Sequence, residues 1–128
     1  MIILLDTSTP VAYMTVIKGT DRASYEWKAE RELAKGLLGW IENTLDSSGK
    51  TLLTIQGIGV FQGPGSFTGL RIGMTVANTL ASSLSVPIVA ATGERWQDDC
   101  WVALQNGKDD KIVLPLYDRD ANITKPRK

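Results

Sequence analysis

The sequence predicts an α/β fold in which a mixed five-stranded sheet carries helices, with the element order β-β-β-α-β-α-β. Three observations carry that expectation. The first thirty residues alternate in short apolar and polar steps separated by polar turns. Residues 32–47 and 66–83 switch to a helical period. Apolar runs at residues 55–62 and 86–91 then follow each helical stretch, and helices that connect strands make those strands parallel.

Taken in order, Ile2–Asp6 is a short apolar run ending on a carboxylate, the pattern of a buried central strand. Thr7, Ser8, Thr9 and Pro10 form a polar turn. Val11–Lys18 alternates with β-branched residues, Gly19, Thr20 and Asp21 turn the chain, and residues 23–28, with Tyr25 and Trp27, complete an antiparallel meander with one solvated face. In residues 32–47, Ala34, Leu37, Leu38, Ile41 and Leu45 fall at helical spacing and are expected to cover the sheet, with Leu33 and Trp40 on another side. Gly36 and Gly39 lie inside this helix, each at a cost of about 1 kcal/mol relative to alanine. Residues 94–104 read as a last helix with Trp96, Cys100 and Leu104 on one face. Residues 107–111 form a charged loop, and residues 112–117 are extended.

Composition narrows the chemistry. Fourteen basic and fourteen acidic side chains cancel, so a bulk electrostatic grip on nucleic acid or an anionic membrane is not expected. The chain has no histidine and one cysteine, Cys100, which rules out an imidazole base, a Ser-His-Asp triad, a His- or Cys-based metal site and an intrachain disulfide. The run from Ile2 to Leu5 is too short for a signal peptide and lacks a basic flank, and no apolar stretch approaches the roughly 20 residues of a membrane span. A reduced, cytoplasmic setting is the expectation, with no metal and no cofactor.

The most informative string is Gly63-Pro64-Gly65-Ser66-Phe67-Thr68-Gly69-Leu70-Arg71-Ile72-Gly73. Gly63, Pro64 and Gly65 turn the chain out of a strand, and Ser66 is a helix N-cap whose hydroxyl can accept from the amide near Gly69. Helix N-termini attract anions, so Gly65, Ser66, Thr68 and Arg71 are candidates for an anion or nucleotide contact. The string lacks the Gly-Lys-Ser/Thr ending of a phosphate-binding P-loop and the glycine spacing of a dinucleotide fingerprint. Within the helix, Gly69, Gly73, Ala77 and Ala81 recur every four residues, a ridge of small side chains along which another backbone could approach closely. Leu70, Met74, Leu80, Leu84, Ile72 and Val76 cover most of the remaining surface, so the helix is expected to be buried on more than one side. Either the first helix covers that second side, packed through Gly36 and Gly39, or the two helices together face another subunit. In the second case the interface comprises Leu33, Gly36, Trp40, Gly69, Ile72, Gly73, Val76 and Ala77, with Leu33, Trp40, Ile72 and Val76 as exposed anchors.

Residues 63–73 closely resemble the signature of the TsaB (YeaZ-like) family, whose members support TsaD in the threonylcarbamoyladenosine modification of tRNA. Leu4-Leu5-Asp6-Thr7-Ser8-Thr9, the turn at Ser47-Ser48-Gly49, the strand at residues 58–62 and Val86-Pro87-Ile88-Val89 fall in the same order. The resemblance covers residues 1–93 and implies a ribonuclease-H-like, actin/Hsp70-like lobe. It implies a non-catalytic partner that pairs with a TsaD-type subunit, or with itself, through its two N-terminal helices, and that meets tRNA only within the complex. Family members carry a second lobe before a closing segment. Pro115-Leu116-Tyr117-Asp118-Arg119 resembles that segment, so residues 94–128 are expected to be a short helix and tail in place of the second lobe. A self-associating protein, or a weak nucleotide binder using residues 63–73, stands as the alternative function.

Single residues are read in the same light. Asp6 sits where ribonuclease-H-like enzymes keep a catalytic carboxylate, but with no partner acid evident it is read as capping its own turn. Arg71 is the one charge on its helix and either meets a partner's carboxylate or a phosphate, or extends to solvent. Cys100, beside Trp96 and Trp101, is read as packing, and Lys125, Arg127 and Lys128 as a solvated tail.

Overall fold

The computed structural model describes residues 1–116; Tyr117 to Arg119 of the closing segment and the basic residues Lys125, Arg127 and Lys128 lie outside them. The elements are β1 (Ile2–Asp6), β2 (Val11–Lys18), β3 (Asp21–Lys28), α1 (Leu33–Ser47), β4 (Gly57–Phe61), α2 (Phe67–Leu84), β5 (Ile88–Ala91) and α3 (Trp96–Gln105). Short 3-10 turns at Glu30–Glu32 and Leu52–Thr54 flank α1. The five strands form one sheet in the order β3-β2-β1-β4-β5. β1 to β3 are antiparallel, whereas β1 pairs with β4, and β4 with β5, in parallel.

β1 is apolar from Ile2 to Leu5 because helices cover both faces of the sheet. Ile3 and Leu5 enter the larger core with α1 and α2, while Ile2 and Leu4 enter a smaller one with α3. β4 divides its residues the same way. Ile58 and Val60 face α1 and α2. On the opposite face, a Cβ on Gly59 would fall 2.6 Å from Leu4 Cδ2 and 2.8 Å from Cys100 Cβ. The glycines that interrupt the apolar run therefore let α3 sit close to the sheet. Cys100 is buried there, and burial pushes its thiol up to about 12, so packing accounts for it.

In α1 the structure corrects the face assigned from sequence. Leu33, Leu37, Ile41 and Leu45 are the buried residues, a stripe at strict four-residue spacing, while Ala34 is exposed and Leu38 is 46% exposed. Four large side chains in one row bury more apolar area than a row containing Ala34, so the helix turns that row to the sheet. Leu33 is thus a core residue, 6% exposed, and not an exposed anchor. Trp40 stacks on Trp27 of β3 with ring centroids 5.7 Å apart. Gly36 makes room for that indole, since a Cβ there would lie 2.7 Å from Trp27 Cη2. Gly39 has nothing within 4 Å, so neither glycine joins α1 to α2.

α2 starts at its Ser66 cap, whose hydroxyl accepts from the Gly69 amide at 3.2 Å. It ends at Ser85, which adopts φ +56° while its amide returns to Ala81 and Ser82. The chain needs residues 85–87 to leave the helix, and β5 accordingly begins at Ile88. Residues 112–116, expected to be extended, form no strand and do not join the sheet. No helix among the described residues is long and apolar enough to cross a membrane.

Adjacent leucines on α1 provide a direct check on its orientation. Leu37→Ala should destabilise the fold by about 2–5 kcal/mol, and Leu38→Ala by about 0.5 kcal/mol or less, measured by urea unfolding of the two variants side by side.

Candidate functional site

The junction between β4 and α2 is built against the turn between β1 and β2. Asp6 Oδ1 accepts the Ser8 amide at 2.8 Å, which fixes the turn. Thr7 Oγ1, buried, donates to the Gly69 carbonyl at 2.8 Å, and the Ser66 amide donates to the Ser8 carbonyl at 2.8 Å. No side chain fits between these segments. A Cβ on Gly69 would overlap the Thr7 carbonyl oxygen, one on Gly73 would overlap Thr7 Oγ1, and one on Gly65 would lie against Ser8. The small-residue ridge does admit a close backbone, but that backbone is this chain's own turn and not a partner's helix.

Beside this joint runs an open groove of about 860 Å³. Thr9 and Pro10 of the turn, Glu30 and Arg31 of the 3-10 turn, and Thr68 and Ile72 of α2 are among its walls. It continues along the helices into a hollow of about 320 Å³ lined by Ala34 of α1 and by Thr68, Arg71, Ile72, Thr75 and Val76 of α2. The Arg71 guanidinium lies over the Phe67 ring, 5.3 Å from its centroid, an arrangement that favours a cation above an aromatic face. Phe67 and Leu38 are 49% and 46% exposed.

The residues singled out from sequence separate into three groups. Thr68, Arg71, Ile72 and Val76 meet in the groove. Gly65, Ser66, Gly69 and Gly73 lie under or beside the Thr7–Ser8 turn, and the Ser66 hydroxyl is occupied by its cap, although Ser66 and Gly69 also border the groove. Ala77 and Leu33 are in the core, Leu33 reaching the groove wall as well, and Gly36 and Trp40 lie against Trp27. Sequence reading missed Ala34 and Thr75 as groove residues. The signal was available in the unbroken four-residue row from Leu33 to Leu45, which leaves Ala34 and Leu38 facing outward. Asp6 is engaged in its own turn, as its position before Thr7-Ser8-Thr9 implied. The arrangement suits binding: apolar side chains from two helices, the short hydroxyls of Thr68 and Thr75, and the guanidinium groups of Arg31 and Arg71.

Comparison with known proteins places this geometry. A family model described as TsaD, tRNA N6-adenosine threonylcarbamoyltransferase, matches residues 27–92, the stretch that contains α1, β4, α2 and β5. The chain is 33% identical over 92 residues to the tRNA threonylcarbamoyladenosine biosynthesis protein TsaB of Escherichia coli (strain K12), covering 71% of this chain and 39% of that protein. It is 31% identical over 88 residues to the TsaB of Haemophilus influenzae, covering 69% of this chain and 37% of that protein. The solved structure of YeaZ from Pseudomonas aeruginosa superposes with a TM-score of 0.66 at 32% identity, covering 71% of this chain and 43% of that one. The chain therefore spans roughly two fifths of the length of the curated relatives it matches.

Two glycines on neighbouring helices test the joint. Gly73→Ala, which drives a methyl into Thr7, should cost about 1–3 kcal/mol. Gly39→Ala, with open space around it, should stabilise the fold by up to about 1 kcal/mol. Thermal unfolding of both variants would show shifts of opposite sign.

Proposed function

Because this chain belongs to the TsaB (YeaZ-like) family, within the wider family that also includes TsaD, we propose that it serves as a non-catalytic partner subunit of a TsaD-type enzyme in forming N6-threonylcarbamoyladenosine in tRNA. The observation that carries this reading is the open hollow between α1 and α2, into which the groove continues. All of its lining residues lie inside residues 27–92, the segment that matches the model of the TsaD enzyme itself. A helix pair of the same descent on each partner lets two like surfaces meet about a pseudo-two-fold axis. Ala34, Ile72 and Val76 form the apolar centre of that surface, and Thr68, Thr75 and Arg71 its polar margin, the usual distribution in a protein interface.

The non-catalytic role has chemical support. The chain contains no histidine, and the Asp6 carboxylate is committed to the Ser8 amide. A formal net charge of zero supports contact with tRNA through the assembled complex rather than through this chain alone. In this reading residues 1–93 are the pairing lobe, and the complex works in the cytoplasm. The same surface would also serve self-association, and the experiment below separates the two.

Co-purification with the TsaD-type protein of the same cell, followed by reconstitution of the tRNA modification, tests the proposal. Ile72→Asp or Val76→Asp should weaken the heteromeric pair by about 30-fold or more and reduce modification in step; both side chains pack partly against the core, so circular dichroism must first show each variant folded. Leu53→Asp, at a site 85% exposed and away from the groove, should leave both intact. A wild-type chain that neither associates with the enzyme nor raises its activity would sink the reading. Sedimentation showing only homodimers under those conditions would favour self-association instead.

A further inference from the structure

Residues 109–116 follow α3 and run from the start of β5 past α2 to the residue after β4 without adding a strand to the sheet. They are held at three places. Asp109 Oδ1 accepts the Ile88 amide at 3.2 Å and the Lys111 amide at 2.8 Å, and the Asp110 amide donates to the Ile88 carbonyl at 2.8 Å. Both polar backbone groups of Ile88 on the outer edge of β5 are thereby satisfied. On α2, the Asn78 carboxamide meets Val113 twice: Nδ2 donates to its carbonyl and Oδ1 accepts its amide, each at 2.9 Å. A side chain here takes the place of a neighbouring strand. Gln62 holds the far end, its Nε2 donating to the Leu114 carbonyl at 3.1 Å and its own carbonyl accepting the Leu116 amide at 2.8 Å.

The far end lies on the junction. Gln62 immediately precedes Gly63, and a Cβ on Gly63 would lie 3.1 Å from the Leu116 carbonyl oxygen. The Gly63 carbonyl accepts the Thr92 hydroxyl, and four residues after Gln62 the Ser66 amide is held by Ser8. The loop that leads into α2 is therefore supported from behind by residues 114–116 and Thr92, and from in front by the Thr7–Ser8 turn.

We infer that residues 109–116 are a clasp whose docking holds the β4–α2 loop and, through it, the first turn of α2 that forms one wall of the groove. Val113 is buried, whereas Ile112 and Leu114 are 66% and 65% exposed. The clasp is held mainly by hydrogen bonds to two amide side chains and to one edge residue, with little apolar burial. Such a segment opens before the sheet does. Opening removes the rear support of residues 62–66 and loosens the wall carrying Thr68 and Ile72. The inference stands independently of the partner proposed above, because it concerns the order of this chain alone.

Amide hydrogen exchange on the full 128-residue chain, resolved by NMR, tests it without a partner. Asn78→Ala removes both contacts to Val113. Leu116→Pro removes the donor to the Gln62 carbonyl and leaves α2 unaltered, so it decides the matter even if Asn78→Ala disturbs the helix. Both variants should speed exchange at the Gln62 and Ser66 amides by about tenfold or more, while amides in the middle of β2 keep their rates. Unchanged rates at Gln62 and Ser66 in Leu116→Pro would overturn the clasp. A rise of equal size in β2 in that variant would also overturn it, because the segment would then belong to the global folding unit.

Discussion

The seating of the Thr7–Ser8 turn against Gly65, Gly69 and Gly73 is the contact on which the rest of the arrangement depends. α2 crosses behind the C-terminal end of β1, and the distance between them is set by atoms of Thr7 where any other residue would place a Cβ. The Thr7 hydroxyl is buried and satisfied by the Gly69 carbonyl, so the close approach leaves no polar group unpaired. The Ser66 amide, bonded to Ser8, starts the helix at the same place. One short turn thus fixes where α2 begins, how near it lies to the sheet and which of its faces remains for the groove. α2 in turn presents Ile72 and Val76 beside Ala34 of α1, the surface through which the proposed pairing would run.

The parts of the fold written in periodicity were legible. β1 and β2 begin and end where apolar patterning and turn residues place them, and β1 is apolar from Ile2 to Leu5 because helices cover both its faces. α2 was readable from its cap alone, since Ser66 followed by Gly69 has one sensible geometry. Parallel pairing of β4 and β5 followed from the intervening helix. The string from Gly63 to Gly73 also carried the family, because so many glycines at fixed spacing report a backbone contact that few folds share.

What stayed hidden depends on which atoms meet across long sequence separations. Small residues every four positions announce that something comes close, but not what. The occupant, Thr7, is more than sixty residues away along the chain, and nothing local distinguishes it from a partner's helix. The same ambiguity affected Gly36, whose neighbour is the Trp27 indole, and Leu33, whose burial depends on the rotation of α1 about its axis. A helix with both Ala34-Leu38 and Leu33-Leu37 pairs offers two apolar rows, and only the sheet beneath decides between them. Asn78 gave no signal at all, since a single carboxamide becomes informative only when a backbone amide and carbonyl are found opposite it.

A double-mutant cycle between Thr7 and Gly73 reaches the central contact most directly. Gly73→Ala is measured in the wild-type chain and again in a Thr7→Ala background, where the hydroxyl and methyl that the new Cβ would strike are gone. Equilibrium unfolding should show the cost of Gly73→Ala falling by about 1 kcal/mol or more in that background, a coupling of the size expected for residues in contact. Strictly additive costs would contradict the account, because α2 would then be placed by something other than the turn it is built against.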